Sequence, residues 1–185
     1  MERLDPQSTI LLIVDVQERL AAAMPPETLE RVVTNTTILL DGAKALGVRV
    51  LVSEQYPKGL GPTLPALAER LTSSGVTPMA KTTFDACSDL AIARALSDLD
   101  PRVVVVAGME SHVCVFQTAR ELVKRGYATH VVGDAVASRR EDNRLLGLSL
   151  CERAGAVVTG TETVLFDLLG KAGTEAFKTV SKLVR

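Results

Sequence analysis

Residues 10–15 read ILLIVD and residues 103–108 read VVVVAG. Both are unbroken apolar runs that stop at one polar or small residue. Strands of this kind, with no inward–outward alternation, are buried on both faces, as in a parallel sheet covered by helices. Four more short β-branched runs stand at Val48–Val52, Val76–Met79, His130–Val132 and Ala156–Val158. Between the first two runs Leu29, Val32, Val33, Ile38, Leu39 and Leu40 recur at helical spacing, and Gly47 is a helix stop. Further helices are predicted over Asp89–Leu99, Cys114–Lys124 and Asn143–Ala154, with one or two more after Thr163. Repeated strand–helix units predict an α/β fold of three layers, a six-stranded parallel sheet with helices on both faces and right-handed crossovers. Tyr56–Pro65 (YPKGLGPTLP) reads as one long Gly/Pro-rich loop, a kind of segment that often carries function.

A chain of 185 residues suits one domain, here residues 1–185, that buries about 70% of its unfolded surface. Its 46% apolar and 23% charged residues exclude a disordered, coiled-coil or collagen-like chain. Lys+Arg (21) and Asp+Glu (22) cancel to a net charge of −1 without a basic stripe, so no nucleic acid partner is expected. Cys87, Cys114 and Cys151 are odd in number and far apart, which is no disulfide framework and fits a reducing cytosol. Two separated histidines and no CxxC give no zinc site. Met1–Thr9 does not read as a leader, and no apolar stretch approaches the length of a membrane span. A cytoplasmic protein with no membrane partner is the expectation.

Ligands of open parallel sheets bind beyond the carboxyl ends of the strands. Four places meet that rule: Asp15 after strand 1, Glu54 after strand 2, Lys81 after strand 3, and Gly108–Cys114 after strand 4. Asp15 must sit at a strand mouth or be buried with a partner, since an unpaired buried charge is very costly. Its plain alternative is a cap or a loop ion pair, and that of Lys81 is a solvated surface charge. Beside a carboxylate in a dry cleft, such a lysine gains a functional reading. Cys114 opens a helix, where N–H groups and a nearby lysine stabilise a thiolate, so a lowered pKa is expected; its plain alternative is an inert core thiol. Cys151 reads as core filler within a helix, and Cys87 as a weaker rival nucleophile near a helix start. His112 lies two residues before Cys114 and points away from it at helical spacing, so it is read as a capping or loop residue. His130, opening strand 5, is read as structural. There is no GxGxxG after strand 1 and no GxxxxGK[ST], so those nucleotide sites are disfavoured.

LLIVDVQ with Asp15, KTTFDA with Lys81, AGMESHVCVFQTARELVKRGY with Cys114 and the later VVGDAVASR stand in order at strand ends. With this set the chain resembles the isochorismatase-like hydrolase superfamily, or cysteine hydrolases, over nearly its whole length. EQYPKGLGPT after strand 2 is similar to an isochorismatase-domain subgroup whose substrate is not established. The resemblance implies a sheet of order 3-2-1-4-5-6 and a triad of Asp15, Lys81 and Cys114. It also implies a non-proline cis peptide at Met109–Glu110, an oxyanion hole from the N–H groups of Glu110 and Cys114, and a homo-oligomer. Nicotinamidases of this superfamily carry an Asp/His metal site after strand 2. Here SEQYPKGLGP has no histidine, so neither a catalytic metal nor any other cofactor is expected. True isochorismatases lack the nucleophilic cysteine, which disfavours vinyl-ether hydrolysis. Many relatives have an aromatic residue at the place of Cys87, which puts Cys87 beside the pocket without a chemical role.

The function expected is therefore a cysteine-dependent, metal-independent hydrolase of a small amide-like or related C–N substrate, with a thioester-type intermediate. Glu54, Gln55, Tyr56, Phe84 and Met109 are candidate pocket walls, because they flank the same sheet edge. Two other classes stand beside it. One is a non-catalytic binding or scaffolding module of the same fold. The other is a thiol redox sensor with Cys87 as resolving partner of Cys114.

Overall fold

The computed structural model describes residues 3–185; the first two residues of the Met1–Thr9 reading lie outside it. Six strands form one parallel sheet: β1 (Thr9–Val14), β2 (Arg49–Gln55), β3 (Met79–Lys81), β4 (Val103–Met109), β5 (Ala128–Ala137) and β6 (Val157–Thr159). Their order is β3-β2-β1-β4-β5-β6. The helices are α1 (Glu18–Ala21), α2 (Pro26–Leu46), α3 (Pro57–Leu60), α4 (Pro65–Ser73), α5 (Leu90–Leu99), α6 (Phe116–Lys124), α7 (Glu141–Arg153), α8 (Thr161–Leu169) and α9 (Glu175–Leu183). Among the described residues no helix is long and apolar enough to cross a membrane.

Every residue of β1 and β4 is buried, because successive side chains go to opposite faces and both faces are covered. Leu11 and Ile13, with Val105 and Ala107, pack under α2, α4 and α8. Ile10, Leu12 and Val14, with Val104 and Val106, pack under α5, α6 and α7. Helix punctuation follows the sequence. Gly47 takes a left-handed conformation and its N–H closes α2 on the Ala43 carbonyl. The Asp89 carboxylate accepts from the N–H groups of Ala91 and Ile92 and starts α5.

Several boundaries differ from the sequence reading. Strand 3 begins at Met79 rather than Val76, since Pro78 has no N–H to give a ladder. Val76 instead packs against the core. Strand 2 runs on through Ser53, Glu54 and Gln55, paired on one side to β1 and on the other to β3. Strand 5 continues through Gly133 to Ala137 across a register shift opposite Val106–Gly108. The Tyr56–Pro65 segment is not all loop: it holds α3, and Pro65 opens α4, whose Leu67 and Leu71 face the core four residues apart.

Gly108 sits where only glycine fits. Its φ is +126°, and a Cβ there would lie 1.9 Å from the Val14 carbonyl oxygen. That close approach sets the ends of β1 and β4 side by side, with Asp15 at one and Met109–Glu110 at the other.

Candidate active site

The sheet ends of β1, β3 and β4 bring Asp15, Lys81 and Cys114 into one buried cluster. Asp15 follows β1 with φ of 54°, a left-handed conformation that an aspartate tolerates better than most side chains. Its N–H donates to the Ser53 carbonyl and its own carbonyl accepts from Gln17 N–H, so the chain turns sharply there. The carboxylate is doubly held: Lys81 Nζ donates to Oδ2 at 2.7 Å and Ser53 Oγ donates to Oδ1 at 2.7 Å. Neither the Asp15 nor the Lys81 side chain has any solvent exposure.

Lys81 ends β3 and is not a solvated surface charge. Besides Asp15, its ammonium donates to Gln55 Oε1 (2.7 Å) and to the carbonyls of Thr83 (3.1 Å) and Phe84 (3.2 Å). Gln55 is fixed in turn. Its N–H donates to Gln17 Oε1, its Nε2 donates to the Thr82 carbonyl, and its carbonyl accepts from Gln17 Nε2. A buried ion pair persists only when its remaining lone pairs and protons are satisfied. Ser53, Gln55 and Gln17 do that here.

Cys114 lies in a π-helical turn, Ser111–Val115, that leads into α6. It is buried, as are Ser111 and Glu110. Burial pushes the thiol up to about 12; the Asp15 carboxylate adds to the rise by its charge and as acceptor of the thiol proton, while the Lys81 ammonium opposes it. The lowered pKa expected from the sequence is therefore corrected. A helix opening and a lysine favour a thiolate, but removal from water and an adjacent carboxylate outweigh them. At rest Cys114 is a thiol beside a carboxylate.

The segment before Cys114 is tightly organised. The Met109–Glu110 peptide bond is cis. The N–H groups of Val113 and Val115 donate to the Glu110 carbonyl at 3.0 and 3.2 Å. The Glu110 carboxylate accepts from both the N–H and Nε of Arg139. His112 Nδ1 is hydrogen-bonded to Ser138 Oγ at 3.0 Å, tying the turn to the end of β5. His130 is buried within β5, where desolvation lowers its pKa.

The remaining expected residues divide. Gln55 serves the lysine. Glu54 turns its carboxylate to the N–H and Oγ1 of Thr63 and anchors the loop after α3. Met109 is fully buried in the core beside Ala107 and Ala135. Tyr56 and Phe84 are more than half exposed near the lysine. A cleft of about 330 Å³ between Tyr56–Lys58 and Ala80–Thr82 has Lys81, but neither Asp15 nor Cys114, in its wall. A larger groove of about 580 Å³ lies at the other end of β2, among Val48, Val50, Leu71 and Leu99, and contains none of these site residues. Cys87 is buried in a single 3₁₀ turn, Ala86–Ser88, its thiol also raised to about 12 by burial with Asp85. Cys151 is raised to about 12 by burial alone. Sequence reasoning does not reach Ser53 and Gln17. Both lie within three residues of a strand end, and the signal for Ser53 is hidden when strand 2 is ended at Val52. Among the described residues no three His, Cys, Asp or Glu side chains gather as metal ligands. The Asp15 carboxylate is engaged by Lys81 and Ser53, and the Glu110 carboxylate by Arg139.

Residues 9–163 match the isochorismatase domain. The chain belongs to that family. Isochorismatase domain-containing protein 2 of Danio rerio is 36% identical over 182 residues, covering 98% of this chain and 89% of that protein. Among solved structures, one described as MAR1 ribonuclease from Caenorhabditis elegans is 36% identical with a TM-score of 0.91, covering 99% and 92% of the two chains. The YcaC gene product of Escherichia coli, described as an octameric hydrolase of unknown specificity, shares the fold at 21% identity and a TM-score of 0.87, covering 99% and 91%. Membership of this family supports a hydrolase.

Proposed function

We propose that the protein is a cysteine-dependent hydrolase of a small amide or related C–N substrate, working through a thioester on Cys114. One observation carries this reading. A thiol is buried against a carboxylate that is itself held by a solvent-free lysine. A core that only needed filling has no use for two buried charges there.

In the reaction, the Cys114 sulfur attacks the substrate carbonyl carbon as its proton passes to Asp15. The raised thiol pKa suits this order, with deprotonation during attack rather than before it. The oxyanion is taken up by the N–H groups of Glu110 and Cys114, which stand just before the π-helical turn and within it. Such donors contribute about 2.7–4 kcal/mol each in acyl transfer. Collapse breaks the C–N bond, and the amine or ammonia leaves with the proton from Asp15. Asp15 then takes a proton from water, whose oxygen attacks the thioester. Collapse returns the proton to sulfur and releases the carboxylic acid. Lys81 holds the carboxylate in place throughout, and no metal is assigned a step.

A screen for ammonia release over small primary amides and carbamoyl compounds tests the reading, wild type against Cys114→Ala. Release that depends on Cys114 is expected. If every compound is inert while Cys114 forms no acyl adduct with any activated ester, the hydrolase reading is wrong. The redox reading gains little, because both thiols are buried and raised to about 12, which disfavours the thiolate that an oxidant attacks. The nuclease name of the nematode protein does not transfer readily either, since the lysine at this site is saturated by four acceptors and is not offered to a phosphate. We further place the chain in the cytoplasm, where three free thiols suit a reducing compartment, as a homo-oligomer. Leu145 and Leu146, side by side and more than half exposed on α7, are a surface that self-association would cover.

A further inference from the structure

Helix α7 touches the nucleophile's turn through a residue with no side chain. Gly147 and Cys151, one helical turn apart, are the buried residues of α7. A Cβ on Gly147 would stand 2.5 Å from the Ser111 carbonyl carbon, 2.6 Å from its oxygen and 2.6 Å from the His112 nitrogen. All three are backbone atoms, so no side-chain rotation relieves the contact. Gly147 is helical, and no left-handed conformation demands glycine there. Mid-helix glycine is a poor helix former, so the reason for it is the close approach. The peptide it touches joins Glu110 to Cys114, the two residues whose N–H groups form the proposed oxyanion pair. The same turn is also tied by the bond between His112 and Ser138.

We infer that Gly147 is a positioning residue: by letting α7 lie directly on the Ser111–His112 peptide, it sets where the oxyanion donors stand relative to the Cys114 sulfur. This rests on the hydrolase reading. A misplacement of about 1 Å in such a constellation costs about a hundredfold in rate.

Two reactions of one thiol separate this from a merely structural role. Acylation by p-nitrophenyl acetate breaks the ester C–O bond, expels p-nitrophenolate and passes through an oxyanion. Alkylation by iodoacetamide displaces iodide at a saturated carbon and develops none. Both rates are measured on the full chain at Cys114 by peptide mass spectrometry, with Cys114→Ala as blank. For Gly147→Ala, the acylation rate is expected to fall at least tenfold while alkylation stays within about threefold, a split that general loosening does not produce. Parallel change in both rates, or no change, overturns the inference. If Gly147→Ala does not fold, Ser138→Ala is read in its place, since it frees another tether of the turn without adding bulk. A selective acylation loss there supports control by turn placement, and equal rates overturn it. Failure of the underlying reading looks different: wild-type Cys114 is then alkylated but never acylated.

Discussion

The Lys81 ammonium stands 2.7 Å from the Asp15 carboxylate with both side chains wholly shielded from water. Removing one partner leaves an uncompensated buried charge. Lys81→Met is therefore expected to lower stability by about 3–5 kcal/mol. It also removes a cation that opposes the rise of the Cys114 pKa, so alkylation of Cys114 at pH 8 should slow further. Urea unfolding with iodoacetamide kinetics checks both. An unchanged alkylation rate in a folded variant would separate the lysine from the thiol.

Ser53 supplies the other hydrogen bond to Asp15, at Oδ1. Ser53→Ala leaves a buried carboxylate oxygen one donor short, at a loss of about 1–3 kcal/mol. Acylation of Cys114 should slow with it, because the carboxylate proposed to take the thiol proton is less firmly held. Ser53→Thr, which keeps a hydroxyl, should retain part of both. Urea midpoints and acylation rates of the two variants check this.

The three thiols give the fold an alkaline weakness. Each is raised from an ordinary value near 9.0 to about 12, with burial the first cause. Between those values the unfolded chain loses protons that the folded chain keeps. Stability is thus fully present below about pH 9 and falls as pH rises toward 12. Urea midpoints from pH 7.5 upward should decline above pH 9. Cys151→Ala, which removes a thiol raised by burial alone, should flatten the decline.

Gly108→Ala is expected to be among the most damaging single substitutions. The new Cβ meets the Val14 carbonyl oxygen at 1.9 Å, and φ of +126° is strained for any L side chain. A loss beyond about 4 kcal/mol is expected from such a backbone clash. Circular dichroism and solubility would show it. A folded, fully stable variant would mean that β1 and β4 do not lie as closely as described.

Much of this site is readable from residue order. Asp15, Lys81 and Cys114 can be picked out because parallel strands deliver the residues beyond their carboxyl ends to one edge, and apolar runs mark the strands. Residue order does not show who holds them. Ser53 becomes visible only once β2 is seen to continue past Val52, and polar residues at the end of a strand look like its termination. The role of Gln55 as a support for Lys81, and of Glu54 as an anchor for Thr63, depends on side-chain direction, which periodicity does not carry. The thiol pKa escapes the sequence for a related reason. Helix openings can be read in sequence, but the depth at which a thiol is buried, the first cause of its rise, cannot. Gly147 stays hidden because a mid-helix glycine gains meaning only from the backbone packed against it.

The most direct test of the central claim is mass analysis of the chain after brief exposure to p-nitrophenyl acetate, in wild type and in Asp15→Asn. The expected result is a single acetyl group on Cys114 in wild type, with none on Cys87 or Cys151. In Asp15→Asn, acylation should slow by about a hundredfold or more, the contribution of a positioned general base. Acetylation spread over other side chains, or an Asp15→Asn variant that acylates Cys114 as fast as wild type, would contradict it.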